Sequence, residues 1–76
     1  MKKIDNSECL ITFGEYIREA REVRGLTQSD VATLLNITQS YYSLIENGKK
    51  NVDLVLAIKI CKELKINMKK FMQMYL

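Results

Sequence analysis

Apolar residues recur along this chain at helical spacing, in five runs separated by short polar joints. Phe13, Ile17, Ala20 and Arg21, with Arg24 one turn later, follow a period near 3.6 residues. Thr12 and Glu15 fit a capping box, in which a hydroxyl accepts from the third backbone N–H and a carboxylate reaches back. The spacing therefore predicts a first helix opening at Thr12 and stopping at Gly25, which takes a left-handed turn without strain. A second helix opens from Thr27, with Asp30 three residues on. It carries Val31, Ala32, Leu34 and Leu35 and ends at Asn36, a residue tolerant of the left-handed conformation. A third opens from Thr38, runs from Gln39 to about Asn47 and stops at Gly48, with Tyr42 and Ile45 inward. A fourth follows Asp53. Leu54, Ala57, Ile58, Cys61 and Leu64 make its apolar stripe, and Val55, Leu56 and Ile60 are apolar beyond it. Asn67 caps the last helix, which carries Met68, Phe71, Met72 and Tyr75.

The joints between these runs are all short, which suits a compact all-α bundle. Residues 1–11 show no clear period and are expected to form an N-terminal arm, leaving 12–76 as one domain. A chain of 76 residues buries a modest fraction of its surface, so a partner subunit would help its stability. Proline is absent and glycine occurs three times, which favours helix throughout. No apolar run is long enough to span a membrane, and the start lacks the apolar stretch of a signal peptide. A cytoplasmic protein is expected.

Charge changes the picture modestly. The net charge is +3, but from Lys49 onward seven lysines face only Asp53 and Glu63. That half can meet a polyanion, although Lys59, Lys62 and Lys65 read first as solvated helix surface. Cys9 and Cys61 lack metal-ligand spacing, and Cys61 sits at an apolar helical position. Histidine is absent, which removes the commonest general base and metal ligand. With no phosphate-binding glycine loop and little room for a pocket, neither an enzyme, a cofactor, a metal nor a small-molecule ligand is expected.

The most informative stretch is Thr27 to Asn51, TQSDVATLLNITQSYYSLIENGKKN. Two short capped helices joined by a tight turn, then a loop with two lysines, make the pattern of a helix-turn-helix. Around it, IREAREVRGLTQSDVATLL, ITQSYYSLIENGKKN and LAIKICKELKINMKKFM resemble the phage-repressor type of helix-turn-helix regulator. That family includes Cro and C1 repressors and xenobiotic-response-element regulators. The resemblance covers residues 13 to about 72. It implies an all-α, five-helix, lambda-repressor-like DNA-binding domain with the helix-turn-helix formed by the second and third helices. Three positions depart from the pattern. Asn36 and Lys65 stand where glycine is common, so the turn after Lys65 is expected to be less tight. Leu44 stands where a polar or basic residue is common. The stretch NGKKNVDL also looks like the loop of small controller proteins of restriction–modification systems.

The family pattern assigns roles residue by residue. Gln28 is expected at a phosphate, aided by the helix N-terminus. Gln39 is expected at a base edge, since its amide both donates and accepts and so matches adenine. Ser40 fits a base or a phosphate. Tyr41 is expected at the DNA backbone, with Tyr42 in the core. Ser43 and Leu44 complete the outer face, where Leu44 either meets a thymine methyl or covers Tyr41. Asn47, Lys49, Lys50 and Asn51 are expected along the phosphates. Arg21 and Glu46 match a buried salt bridge that orients the third helix, and Ala32 matches a close approach of the two motif helices. Val55, Leu56, Met68, Met72, Met74 and Tyr75 are expected to form a homodimer interface that sets two recognition helices one DNA turn apart. The implied function is a sequence-specific transcriptional regulator of double-stranded DNA on a pseudo-palindromic operator. An antitoxin or other protein-interaction module on the same fold is the alternative.

Overall fold

Four of the five helices open where a short polar side chain captures a free backbone N–H. Thr27 accepts from Asp30 N at 3.0 Å while the Asp30 carboxylate accepts from Thr27 N at 2.8 Å, and this complete box starts α2 (Gln28–Leu35). The backbone bonds to Thr27 hold the Asp30 carboxyl below its ordinary range. Thr38 accepts from Tyr41 N and starts α3 (Gln39–Glu46). Asp53 accepts from Leu56 N and starts α4 (Leu54–Leu64), and Asn67 accepts from Lys69 N ahead of α5 (Met68–Tyr75). The first helix, α1, is Asn6–Val23. The computed structural model describes residues 6–75, and for residues 71, 74 and 75 the backbone alone.

Four helix ends share one geometry. Gly25, Asn36, Gly48 and Lys65 each adopt a positive φ, between 54° and 69°. At each end the next residue's N–H returns to the carbonyl five residues back: Leu26 to Arg21, Ile37 to Ala32, Lys49 to Leu44 and Ile66 to Cys61. Such ends bury an apolar side chain just past the left-handed residue, and Leu26, Ile37 and Ile66 do pack on the core. The turn after Lys65 is thus as tight as the glycine ends, contrary to expectation. The carbonyls of Cys61 and Lys62 satisfy its backbone whatever the side chain.

Two further expectations need correction. The segment 1–11 is not an arm throughout, since α1 already begins at Asn6 and Thr12 lies inside it instead of capping it. No proline or glycine interrupts residues 6–13, and Glu8 in the first turn suits the helix dipole. Tertiary contact then fixes this extension: Cys9 packs on the core, and the Ile11 backbone lies so near Gly48 that an added Cβ there would stand 2.8 Å away. The inward face of α4 is also rotated. Ile60, Cys61 and Leu64 are buried with Leu56 and Ala57 beside them, while Leu54 and Ile58 point to solvent. Almost every position from 54 to 61 is apolar, so several faces fit the period and packing chooses among them.

The core comprises Phe13 and Ile17 of α1, Val31, Ala32 and Leu35 of α2, Tyr42 and Ile45 of α3, and Ile60, Cys61 and Leu64 of α4. Burial raises the Cys61 thiol above its ordinary value. Helices α1 and α2 each pack against both α3 and α4. Gly14 lets α1 cross α3 closely, because a Cβ there would overlap the Glu46 carbonyl oxygen. A glycine inside a helix lowers its intrinsic stability by about 1 kcal/mol, and here it lets α1 approach the end of α3.

Candidate nucleic-acid interface

The sequence places helix α3 on the outside of the bundle by giving it one thin apolar edge. Tyr42 and Ile45 are buried, and the remaining side chains stay accessible except Glu46. Gln39 and Ser40 are exposed at its N-terminus, and with half-buried Ser43 and Gln28 they line one shallow concavity. Leu44 is 40% exposed. Asn47, Lys49, Lys50 and Asn51 follow as an exposed polar loop. At the end of α3, the position that carries Leu26, Ile37 or Ile66 after other helices carries Lys49 instead. This end therefore presents a cation to solvent where the others tuck a hydrocarbon inward.

Tyr41 behaves differently from a freely projecting side chain. It is half-buried against the core, at the edge of a groove shared with Leu35, Ile37, Leu54, Val55 and Leu56. Lys50 Nζ stands 5.8 Å from its ring centroid, a cation–π contact that ties the loop to the helix.

Glu46 organises the inner side of α3. Its side chain is buried, yet it keeps its charge because donors converge on it. Arg21 forks both oxygens, with Nε 2.6 Å from Oε2 and Nη2 3.1 Å from Oε1, and its Nη1 donates to the Leu26 carbonyl at 2.8 Å. Gln28 Nε2 donates to Oε1 at 3.0 Å, and Arg18 Nε stands 3.6 Å from the same oxygen. Burial pushes the Glu46 carboxyl up, but the bonds from Arg21 and Gln28 outweigh it and leave it below its ordinary value. The bond to Glu46 in turn raises the Arg21 guanidinium. The Tyr42 hydroxyl is buried without a hydrogen bond of good geometry. Burial, and then the neighbouring Glu46 carboxylate, push this phenol far above its ordinary value, so it stays neutral.

The expected Arg21–Glu46 bridge is therefore present, but as part of a larger cluster. Sequence reasoning missed Arg18, whose Nη2 also reaches the Glu46 carbonyl at 3.5 Å and Asn47 Oδ1 at 3.1 Å. Its signal was its place one turn before Arg21, hence on the same face of α1. It also missed Gly14, whose signal was a glycine inside a helical run. The Gln28 side chain braces the cluster as well. One of its amide hydrogens is committed to Glu46, so any phosphate contact through this side chain uses the other. Among the expected interface residues on α4 and α5, Val55 and Met72 are exposed, whereas Leu56 and Met68 pack partly on the chain's own core. The side chains of Met74 and Tyr75 lie outside the described residues. Among these residues no acidic or cysteine cluster could hold a metal ion, and no helix is long and apolar enough to cross a membrane.

Comparison with known proteins agrees with this geometry. Residues 17–71 match the family model described as helix-turn-helix. The chain is 43% identical over 51 residues to the control protein C.MunI from Mycoplasma sp, covering 66% of this chain and 69% of that protein. It superposes on the restriction-modification controller protein C.AhdI from Aeromonas hydrophila with a TM-score of 0.78 and 34% identity, covering 90% of this chain and 99% of the other. The clp gene regulator ClgR from Corynebacterium glutamicum shares the fold, with a TM-score of 0.76 at 22% identity over 93% of this chain and 72% of its own. The matched span takes in the capped pair α2–α3, its Arg21–Glu46 brace and the α4 support behind it, and the chain belongs to the Cro/C1-type helix-turn-helix family of DNA-binding transcription regulators.

Proposed function

We propose that this protein is a sequence-specific transcriptional regulator of the restriction–modification controller kind, binding a pseudo-palindromic operator as a homodimer. The reading is carried by one observation: Gln28, Gln39, Ser40 and Ser43 meet on a single accessible surface at the N-terminus of α3. A helix presented this way fits a major groove. Gln39 reads a base edge, with Ser40, Ser43 and Leu44 beside it, while Lys49, Lys50, Asn47 and Asn51 run along phosphates and Tyr41 stands at the backbone. The likeness to C.MunI and C.AhdI supports the controller assignment.

Binding measured on operator and random duplexes across salt concentrations tests the division of labour. Gln39→Ala is expected to lose about 1–3 kcal/mol at the operator and to relax one base position. Lys49→Ala should weaken every sequence alike and lower the salt slope by about one. Equal losses on operator and random DNA for Gln39→Ala would remove it from the base-reading set.

A further inference from the structure

Arg18 links α1 to the polar loop through Asn47, a contact that rests outside the core. Its Nη2 donates to Asn47 Oδ1 at 3.1 Å. A guanidinium carries donors only, so the asparagine must turn its oxygen toward Arg18 and its NH₂ away. Phosphate oxygens, conversely, only accept. The amide is thus held in the one orientation that offers donors to a phosphate. The Arg18 side chain is 43% exposed and Asn47 is exposed, so this hydrogen bond adds little to folding stability. Arg18 is itself held near the Glu46 carboxylate, with its Nε 3.6 Å from Oε1.

We propose that Arg18 is a positioning residue for DNA binding, acting by fixing the Asn47 amide with its donors outward to a phosphate. The proposal rests on the DNA-binding reading above and deepens it. It separates Arg18 from the lysines of the loop: those meet phosphate as charges, whereas Arg18 works through a neutral neighbour.

The test is a double-mutant cycle with Arg18→Met and Asn47→Ala, titrated against a mixed-sequence duplex over a range of salt. Arg18→Met alone is expected to weaken binding on the order of tenfold, the loss of one hydrogen bond to a charged group. In the Asn47→Ala background it should cause no further loss. Equal losses in both backgrounds would show Arg18 acting independently of Asn47 and overturn the proposal. The Asn47 side-chain amide resonances of the free protein give a DNA-independent readout, and Arg18→Met should shift them. Unshifted resonances would also overturn the coupling. Failure of the native protein to bind any duplex would instead remove the DNA reading and the phosphate contact with it, leaving the resonances to decide the Arg18–Asn47 link.

Discussion

Truncating Arg21 removes the fork on Glu46 and leaves a carboxylate in the interior with Gln28 Nε2 at 3.0 Å and Arg18 Nε at 3.6 Å. Breaking a buried pair from one side typically destabilises by about 3–5 kcal/mol. The Gln28 bond and the nearby Arg18 charge place Arg21→Ala near the lower end, about 3 kcal/mol at neutral pH, measured by urea unfolding. The sign of the pH dependence follows from the depressed Glu46 carboxyl. Its contribution is fully present above the unfolded value, near 4.5, and is lost as pH falls through the lower folded value. Without Arg21, burial dominates and Glu46 protonates more readily in the folded state. The gap between native protein and Arg21→Ala should therefore narrow as pH falls from the variant's raised folded value toward the native protein's depressed one, a window that spans 4.5. A gap that stays constant into acid would mean that Glu46 is not the group stranded by the substitution. The pair was legible because both residues stand at the family's spacing. Arg18 was not read, because its partner Asn47 is 29 residues away and meets it only where the folded chain packs α1 against α3.

Helix ends carry most of the fold's local specification, and they differ in how well the residue suits the geometry. Gly25 and Gly48 take positive φ freely, whereas Asn36 and Lys65 do so against a Cβ clash with the following carbonyl. That clash is worth roughly 1–2 kcal/mol for an ordinary residue and less for asparagine. Lys65→Gly should therefore stabilise the domain by about 1 kcal/mol, less the entropy that glycine adds to the unfolded chain. A higher urea midpoint at unchanged slope would show it, and Asn36→Gly should gain less. No gain at Lys65 would mean that relief of the clash does not exceed the entropy that glycine adds to the unfolded chain. The caps of α2, α3, α4 and α5 and the stops at Gly25, Asn36 and Gly48 were readable because they are short-range bonds within a few residues. The start of α1 and the facing of α4 were not. Residues 6–11 owe their helix partly to Ile11 lying across Gly48, and α4 is apolar on too many sides for its period to choose a face.

The rotation of α4 leaves Leu54, Val55 and Ile58 at 74, 62 and 55% exposure, with Met72 of α5 at 47%. Leu54 and Val55 border the groove that also takes in Leu35, Ile37 and Tyr41. A second copy laid two-fold on this face would hide each side chain twice. Completing the burial of Leu54, Val55 and Ile58 stabilises by about 1–2 kcal/mol each, or roughly 6–12 kcal/mol over both protomers. Association itself costs about 4–15 kcal/mol in lost freedom. The two ranges overlap, so this face supports at most a weak, reversible dimer and not a permanent one. A pseudo-palindromic operator would then complete the pairing by holding two recognition helices about 34 Å apart. Sedimentation equilibrium should accordingly show a monomer–dimer exchange. Val55→Glu, which puts a carboxylate into this exposed apolar face on each protomer, should shift it to monomer while leaving the helical content unchanged. The same substitution should weaken binding to a full operator more than to a single half-site, because only the former uses the contact between protomers. A native protein that stays monomeric at high micromolar concentration would reject this face as the interface, and equal losses on full and half operators would reject its role on DNA.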